Sequence, residues 1–135
     1  LGVTILENKA VTLSKNNDAI NIIGVNDPDF HIVNSSVTTN NTLRALHTNE
    51  DFTILLSHRP ELFDAYVENN IDLVFSGHAH GGQFRLPFIG GLYAPHQGAF
   101  PEFDDGIFSK DNTNMIVSRG IGNSIFPVRF FGNRL

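Results

Sequence analysis

The first quarter of the chain is rich in β-branched residues set between small polar clusters. Residues 3–7, 10–13 and 19–25 read as strands, parted by the turn formers Asn8-Lys9 and Asn16-Asn17-Asp18. Ile20 and Ile22 alternate with Asn21, while Ile23 and Val25 prolong the run as in a strand covered on both faces. A polar loop follows over 26–34, with Asp27-Pro28-Asp29 inside it. Residues 39–49 then repeat at helical spacing, with Leu43, Leu46 and His47 on one face and Ser or Thr residues suited to capping the start.

The middle of the chain changes character. Phe52-Thr53-Ile54-Leu55-Leu56-Ser57 is a short continuous apolar run, the pattern of a buried central strand, and His58-Arg59-Pro60 ends it. Pro60-Glu61 suits the first turn of a helix, which Leu62, Phe63, Tyr66 and Val67 carry on towards Asn69-Asn70. Asp72-Leu73-Val74-Phe75-Ser76 is a second buried strand, so residues 52–76 predict a βαβ unit. Residues 77–106 are rich in Gly and Pro and keep no period, the mark of a functional or mobile loop. A strand is expected at 114–118 and a last extended segment at 128–131.

Composition narrows this picture without deciding it. The 135 residues suit one domain, and 41% hydrophobic with 17% charged residues is a globular balance. Nine Lys and Arg against 14 Asp and Glu give a net charge of −5, and the basic residues are scattered. A nucleic-acid surface, which needs clustered cations, is therefore not expected. With no cysteine, disulfides, thiolate metal sites and thiol nucleophiles are excluded. No apolar run reaches the ~18–20 residues of a membrane helix, so the chain as given is expected to be soluble. It opens on Leu1-Gly2 and its one methionine is Met115, so it is expected to be a piece or a processed form.

Two strand ends carry histidines in matching positions, His58 after the first buried strand and His78 and His80 after the second. Ligands of α/β sheets bind beyond the carboxyl ends of the strands. Twenty residues separate His58 from His78, which suits neighbouring strands joined by one helix. Glycines at 77, 81 and 82 let the backbone turn tightly enough for the rings to meet. Neutral imidazole is the commonest protein metal ligand, so His58, His78 and His80 are read as a metal site. His31, His47 and His96 are read as solvated or carbonyl-bonded rings. Arg119 is open to two readings, a phosphate contact or a structural clamp on carbonyls, and Gln83 and Asn123 are weaker candidates for lining a pocket. Arg59 is expected to lay its stem over helix or loop surface. The many phenylalanines are read mainly as packing, with an apolar rim for a lipid surface as the sharper alternative.

Ser57-His58-Arg59-Pro60 and Gly77-His78-Ala79-His80, followed by Gly81-Gly82-Gln83, resemble the fourth and fifth motifs of the calcineurin-like metallophosphoesterases. Phe84-Arg85-Leu86-Pro87, Ser118-Arg119-Gly120-Ile121-Gly122-Asn123-Ser124 and the early stretch from Leu6-Glu7-Asn8 to Asp27-Pro28 resemble a bacterial, membrane-associated branch of that superfamily. The resemblance implies an α/β fold, with residues 1–135 forming the C-terminal half of a four-layer α/β/β/α sandwich. It implies two divalent cations (Mn, Fe or Zn) ~3.5 Å apart. His58 and His78 would bind one cation; His80 would bind the other and lie close to the attacking water. The implied reaction is hydrolysis of a phosphomonoester or phosphodiester, in a small molecule or a lipid-linked phosphate. The implied setting of the parent protein is the cytoplasmic side of a membrane.

The family's D-x-H, GD-x-x-D and GNH-[DE] motifs do not occur here as such. Asp29-Phe30-His31 has the letters of the first but falls in a loop after the third strand, and Gly132-Asn133 is followed by Arg134. The bridging Asp, the Asn ligand and the leaving-group acid are thus expected outside this chain, and the catalytic residues with them. Alone, the chain is expected to be inactive and to hold at most one weakly bound cation. The alternative is a non-catalytic folded module that binds one metal weakly or none and self-associates through exposed sheet edges.

Overall fold

The computed structural model describes residues 2–28, 34–47, 51–82, 85–86, 90–94 and 96–120. Their centre is a six-stranded sheet in the spatial order Lys9–Lys15, Asp18–Gly24, Phe52–Leu56, Leu73–Ser76, Thr113–Val117 and Gly106–Lys110. The hairpin β1 (Lys9–Lys15) and β2 (Asp18–Gly24) is antiparallel and turns at Asn16, which takes a positive φ of 57°. From β2 the chain crosses through α1 (Ser35–Leu46) to β3 (Phe52–Leu56), then through α2 (Phe63–Glu68) to β4 (Leu73–Ser76). Strands β2, β3 and β4 are parallel, so both crossovers are βαβ units.

Four strands follow as two-residue pieces, β5 (Arg85–Leu86), β6 (Gly90–Gly91), β7 (Tyr93–Ala94) and β8 (Gly98–Ala99), paired as two small hairpins. The chain then re-enters the sheet through β9 (Gly106–Lys110) and β10 (Thr113–Val117), with β10 parallel to β4 and β9 antiparallel at the edge.

Burial alternates along each central strand, as the pleat requires. Ile23, Leu55, Val74, Met115 and Val117 face the helices and are buried together with Leu43, Phe63, Ala65, Tyr66 and Ile71. The register sets Ile22, Ile54 and Leu73 across the opposite face, and Leu56 beside Phe75. On that face Phe52, Leu56 and Phe75 are each more than 40% exposed. The described residues thus form helices on one side of a sheet whose other side is apolar and open.

Four details differ from the sequence expectations. Helix α1 starts four residues earlier than expected because Asn34 caps it, its Oδ1 accepting the Ser36 N–H at 3.0 Å. Residues 3–7 do not pair as a strand; Leu6 instead lies over Gly24, where a side chain would clash with it. Edge strand β9 was hidden by its mostly exposed residues and by Gly106 at its start. The helix expected from Pro60 opens as a 3-10 turn (Pro60–Leu62) and ends where Asn70 takes a positive φ of 53°. The segment at 128–131 lies outside the described residues. No helix among the described residues is long and apolar enough to cross a membrane.

Candidate metal centre

Parallel pairing aligns the ends of β3 and β4. The ladder continues past both, with the Val25 N–H bonded to the Leu56 carbonyl, Ser57 N–H to Phe75 and Ser118 N–H to Ser76. The turns leaving β3 and β4 therefore start side by side, and each carries a histidine.

The first turn, residues 57–60, is fixed by a buried polar network. The Ser57 hydroxyl and the Tyr66 hydroxyl lie 2.7 Å apart, and Tyr66 donates to the Arg59 carbonyl at 2.6 Å. Burial pushes the Tyr66 phenol well above its ordinary value, so it stays a neutral donor. The Arg59 side chain is only 3% exposed and ion-pairs with Asp27 at 2.9 Å and Glu61 at 3.1 Å. It does not lay its stem over a surface as expected, because two carboxylates from separate segments draw the guanidinium inward.

The second turn, residues 77–82, is held by backbone geometry. The Ala79 N–H reaches back to the Gly77 carbonyl at 2.7 Å, with His78 at φ 63° between them. The Gly82 N–H then bonds to the Ala79 carbonyl at 2.8 Å, across His80 at φ 53° and Gly81 at φ 72°. Two positive φ values in sequence are those of a type I′ turn. Histidine tolerates this region better than bulky or β-branched residues do, yet it remains a sparsely occupied one.

These turns bring His58 and His78 together. His58 Nε2 lies 2.9 Å from His78 Nδ1, with the rings edge to face at 4.6 Å between centroids. On its other side His78 Nε2 lies 2.8 Å from His96 Nδ1, the rings stacked at 5.0 Å. His96 belongs to the turn between β7 and β8, whose base is tied by Phe100 N–H to the Leu92 carbonyl. Gln97 pins this loop through both amide atoms to the Phe103 backbone, and Phe103 packs edge-on against Phe63 and Phe108. His96 was read as a solvated or carbonyl-bonded ring; it is exposed, and one of its partners is another imidazole. Glu61 was missed as well: ligand-type atoms of Glu61, His78 and His96 lie within 4.8 Å of one another. His80 sits two residues beyond His78, half-buried and outside that group.

Burial, with the neighbouring His58, Arg59 and His96 adding to it, pushes His78 down to about 4. Its ring is therefore neutral near pH 7, with a nitrogen lone pair to offer a cation.

No protein-family model matches the chain, and no solved structure matches it. Curated relatives do. The uncharacterized metallophosphoesterase YkuE of Bacillus subtilis is 37% identical over 79 residues, 58% of this chain and 27% of YkuE. The UDP-2,3-diacylglucosamine pyrophosphatase LpxG of Chlamydia muridarum is 33% identical over 136 residues, covering 94% of this chain and 38% of LpxG. The phosphodiesterase YaeI of Escherichia coli is 25% identical over 128 residues, covering 95% and 43%. The chain belongs to the calcineurin-like metallophosphoesterase superfamily. It spans less than half the length of each of these three relatives.

The donor set of this metallophosphoesterase chain fits a divalent cation of borderline softness: adjoining imidazoles, one held neutral, with a carboxylate close by. Arg119, the second strand-end basic residue, donates from Nε to Asp105 at 2.8 Å. Its aliphatic stem crosses Gly81, where a Cβ would come within 2.9 Å of it. Asp105 is thus one partner of its guanidinium. Gln83, Asn123 and His31 lie outside the described residues. His47 lies at the C-terminal end of α1 and its N–H closes that helix onto Leu43.

Proposed function

We propose that this chain contributes part of the catalytic centre of a metal-dependent phosphoesterase that hydrolyses phosphomonoester or phosphodiester bonds. The observation that carries the reading is the meeting of His58 and His78 across two adjacent parallel strand ends, with ring nitrogens 2.9 Å apart. His58 and His78 hold one cation, and His80, on the same turn, serves a second. Bound divalent cations would supply Lewis acidity towards a phosphoryl oxygen and acidify a water nucleophile. The protein's own part is to keep His78 neutral, to hold His58 rigid through the Arg59 and Tyr66 network, and to aim His80 by its left-handed backbone. The relative named as a UDP-2,3-diacylglucosamine pyrophosphatase supports a phosphate ester that is small or lipid-linked as substrate.

The open apolar face bearing Phe52, Leu56 and Phe75 supports a place for this sheet within a larger sandwich, the four-layer arrangement of the superfamily. The bridging carboxylate and the leaving-group acid would come from beyond that face. The test is Mn²⁺-dependent hydrolysis of bis(p-nitrophenyl) phosphate by the protein encoded by the full open reading frame. His58→Ala, His78→Ala and His80→Ala are each expected to lower turnover at least 100-fold. Wild-type turnover in His78→Ala would sink the reading.

A further inference from the structure

We infer that Glu61, His78 and His96 form a cation site of their own, distinct from the pairing of His58 with His78. The inference stands on these three side chains and does not need the phosphoesterase reading.

The carboxylate comes first. Asp27 and Glu61 both lie against the Arg59 guanidinium. Glu61 uses Oε1 to accept from Arg59, while its Oε2 is buried with no hydrogen-bond partner. A carboxylate oxygen taken out of water without a donor is costly, and a bound cation is a standard remedy.

Geometry supplies the other donors. His96 Nδ1 and His78 Nε2 lie 2.8 Å apart, and one oxygen of Glu61 completes a group within 4.8 Å. Ligand atoms bound at ~2.1 Å to one ion sit roughly 3.0–3.4 Å apart, so a small closing movement suffices. His96 has that freedom, being exposed at the tip of a two-stranded hairpin. Two imidazoles and one carboxylate suit zinc, cobalt, iron or manganese in the divalent state better than calcium or magnesium.

The cation would replace the proton now shared between His78 Nε2 and His96 Nδ1. That proton moves to the other nitrogen of its own ring, so both rings stay neutral and charge and protons balance. His78 turns its two nitrogens to different neighbours, Nδ1 to His58 and Nε2 to His96. A neutral ring has one lone pair to give, so His78 serves one of the two positions at a time.

The test is titration of the metal-free chain with Co²⁺, read from the visible absorption band that reports nitrogen and oxygen coordination. Glu61→Gln keeps the acceptor for Arg59 and removes the charge; His96→Ala removes an exposed ring that stacks on His78. Each is expected to weaken Co²⁺ binding at least tenfold, with thermal unfolding of the metal-free variants checking that both still fold. His47, at the C-terminal end of α1, belongs to neither set, so His47→Ala is expected to keep the parent Co²⁺ affinity. The readout is Co²⁺ affinity and not turnover, so failure of this site and failure of the functional reading are told apart. Unchanged affinity in either Glu61→Gln or His96→Ala overturns the triad.

Discussion

The turns after β3 and β4 leave neighbouring parallel strands at the same edge of the sheet, and each presents an imidazole, yet different forces hold them. Residues 57–60 are braced by side chains: Arg59 between two carboxylates, and Tyr66 between Ser57 and the Arg59 carbonyl. Residues 77–82 are braced by the backbone itself, with positive φ at His78, His80, Gly81 and Gly82. The first arrangement draws on burial and hydrogen bonding. The second accepts local strain so that two histidines separated by one residue can leave the chain on one tight turn. A rigid partner beside a strained one is a sensible way to build a two-histidine contact, since only one side then needs to adjust when a cation enters.

Removing Arg59 disturbs the first turn most severely. Arg59→Ala leaves Asp27 and Glu61 facing each other without their counter-ion, and a cost of about 3–5 kcal/mol in urea unfolding at pH 7 is expected. A loss below ~1 kcal/mol, the range of an exposed pair, would mean that the side-chain bracing is incidental.

The second turn is more sensitive to a single methyl group. Gly82→Ala places a Cβ 2.5 Å from the Gly91 Cα at φ 81°, and about 1–3 kcal/mol of destabilisation is expected by the same measurement. The β5–β6 hairpin would be displaced with it, which the Gly91 amide signal in NMR spectra would report. An unshifted Gly91 signal would place the constraint elsewhere.

The smallest effect is the dependence of the metal-free chain on pH. His78 titrates at about 4 in the fold against an ordinary 6.5, so between these values the unfolded chain binds more protons. The stability contributed by its neutral ring is full above about pH 6.5 and is lost as the pH falls towards about 4. His78→Asn should flatten this part of the profile. An unchanged slope would assign the pH response to other groups.

The central strands and both strand-end histidines were legible in the sequence because their signals are local and strong. Phe52–Leu56 and Leu73–Ser76 are short apolar runs that end in polar turns, and two runs so joined by a helix have few arrangements open to them. The remainder of the site was not legible, for physical reasons. Glu61 looks like an ordinary first-turn acid of a helix, and only the fold reveals that Arg59 takes one of its oxygens and leaves the other buried. His96 sits in a stretch without period, and the long-range ties of Gln97 and Phe103 that bring its hairpin back to the β3 and β4 ends have no local signature. The useful signal was the buried Glu61 oxygen without a donor, which becomes visible only in three dimensions.

In the proposed centre the two strand-end turns form one place for a cation. The direct test is Mn²⁺ broadening of histidine ring resonances in the 135-residue chain at substoichiometric metal. His58 and His78 are expected to broaden together, well before His47, which closes α1 near the start of β3 at the opposite edge of the sheet. Broadening of His47 at the same Mn²⁺ concentration, or of His58 without His78, would contradict it.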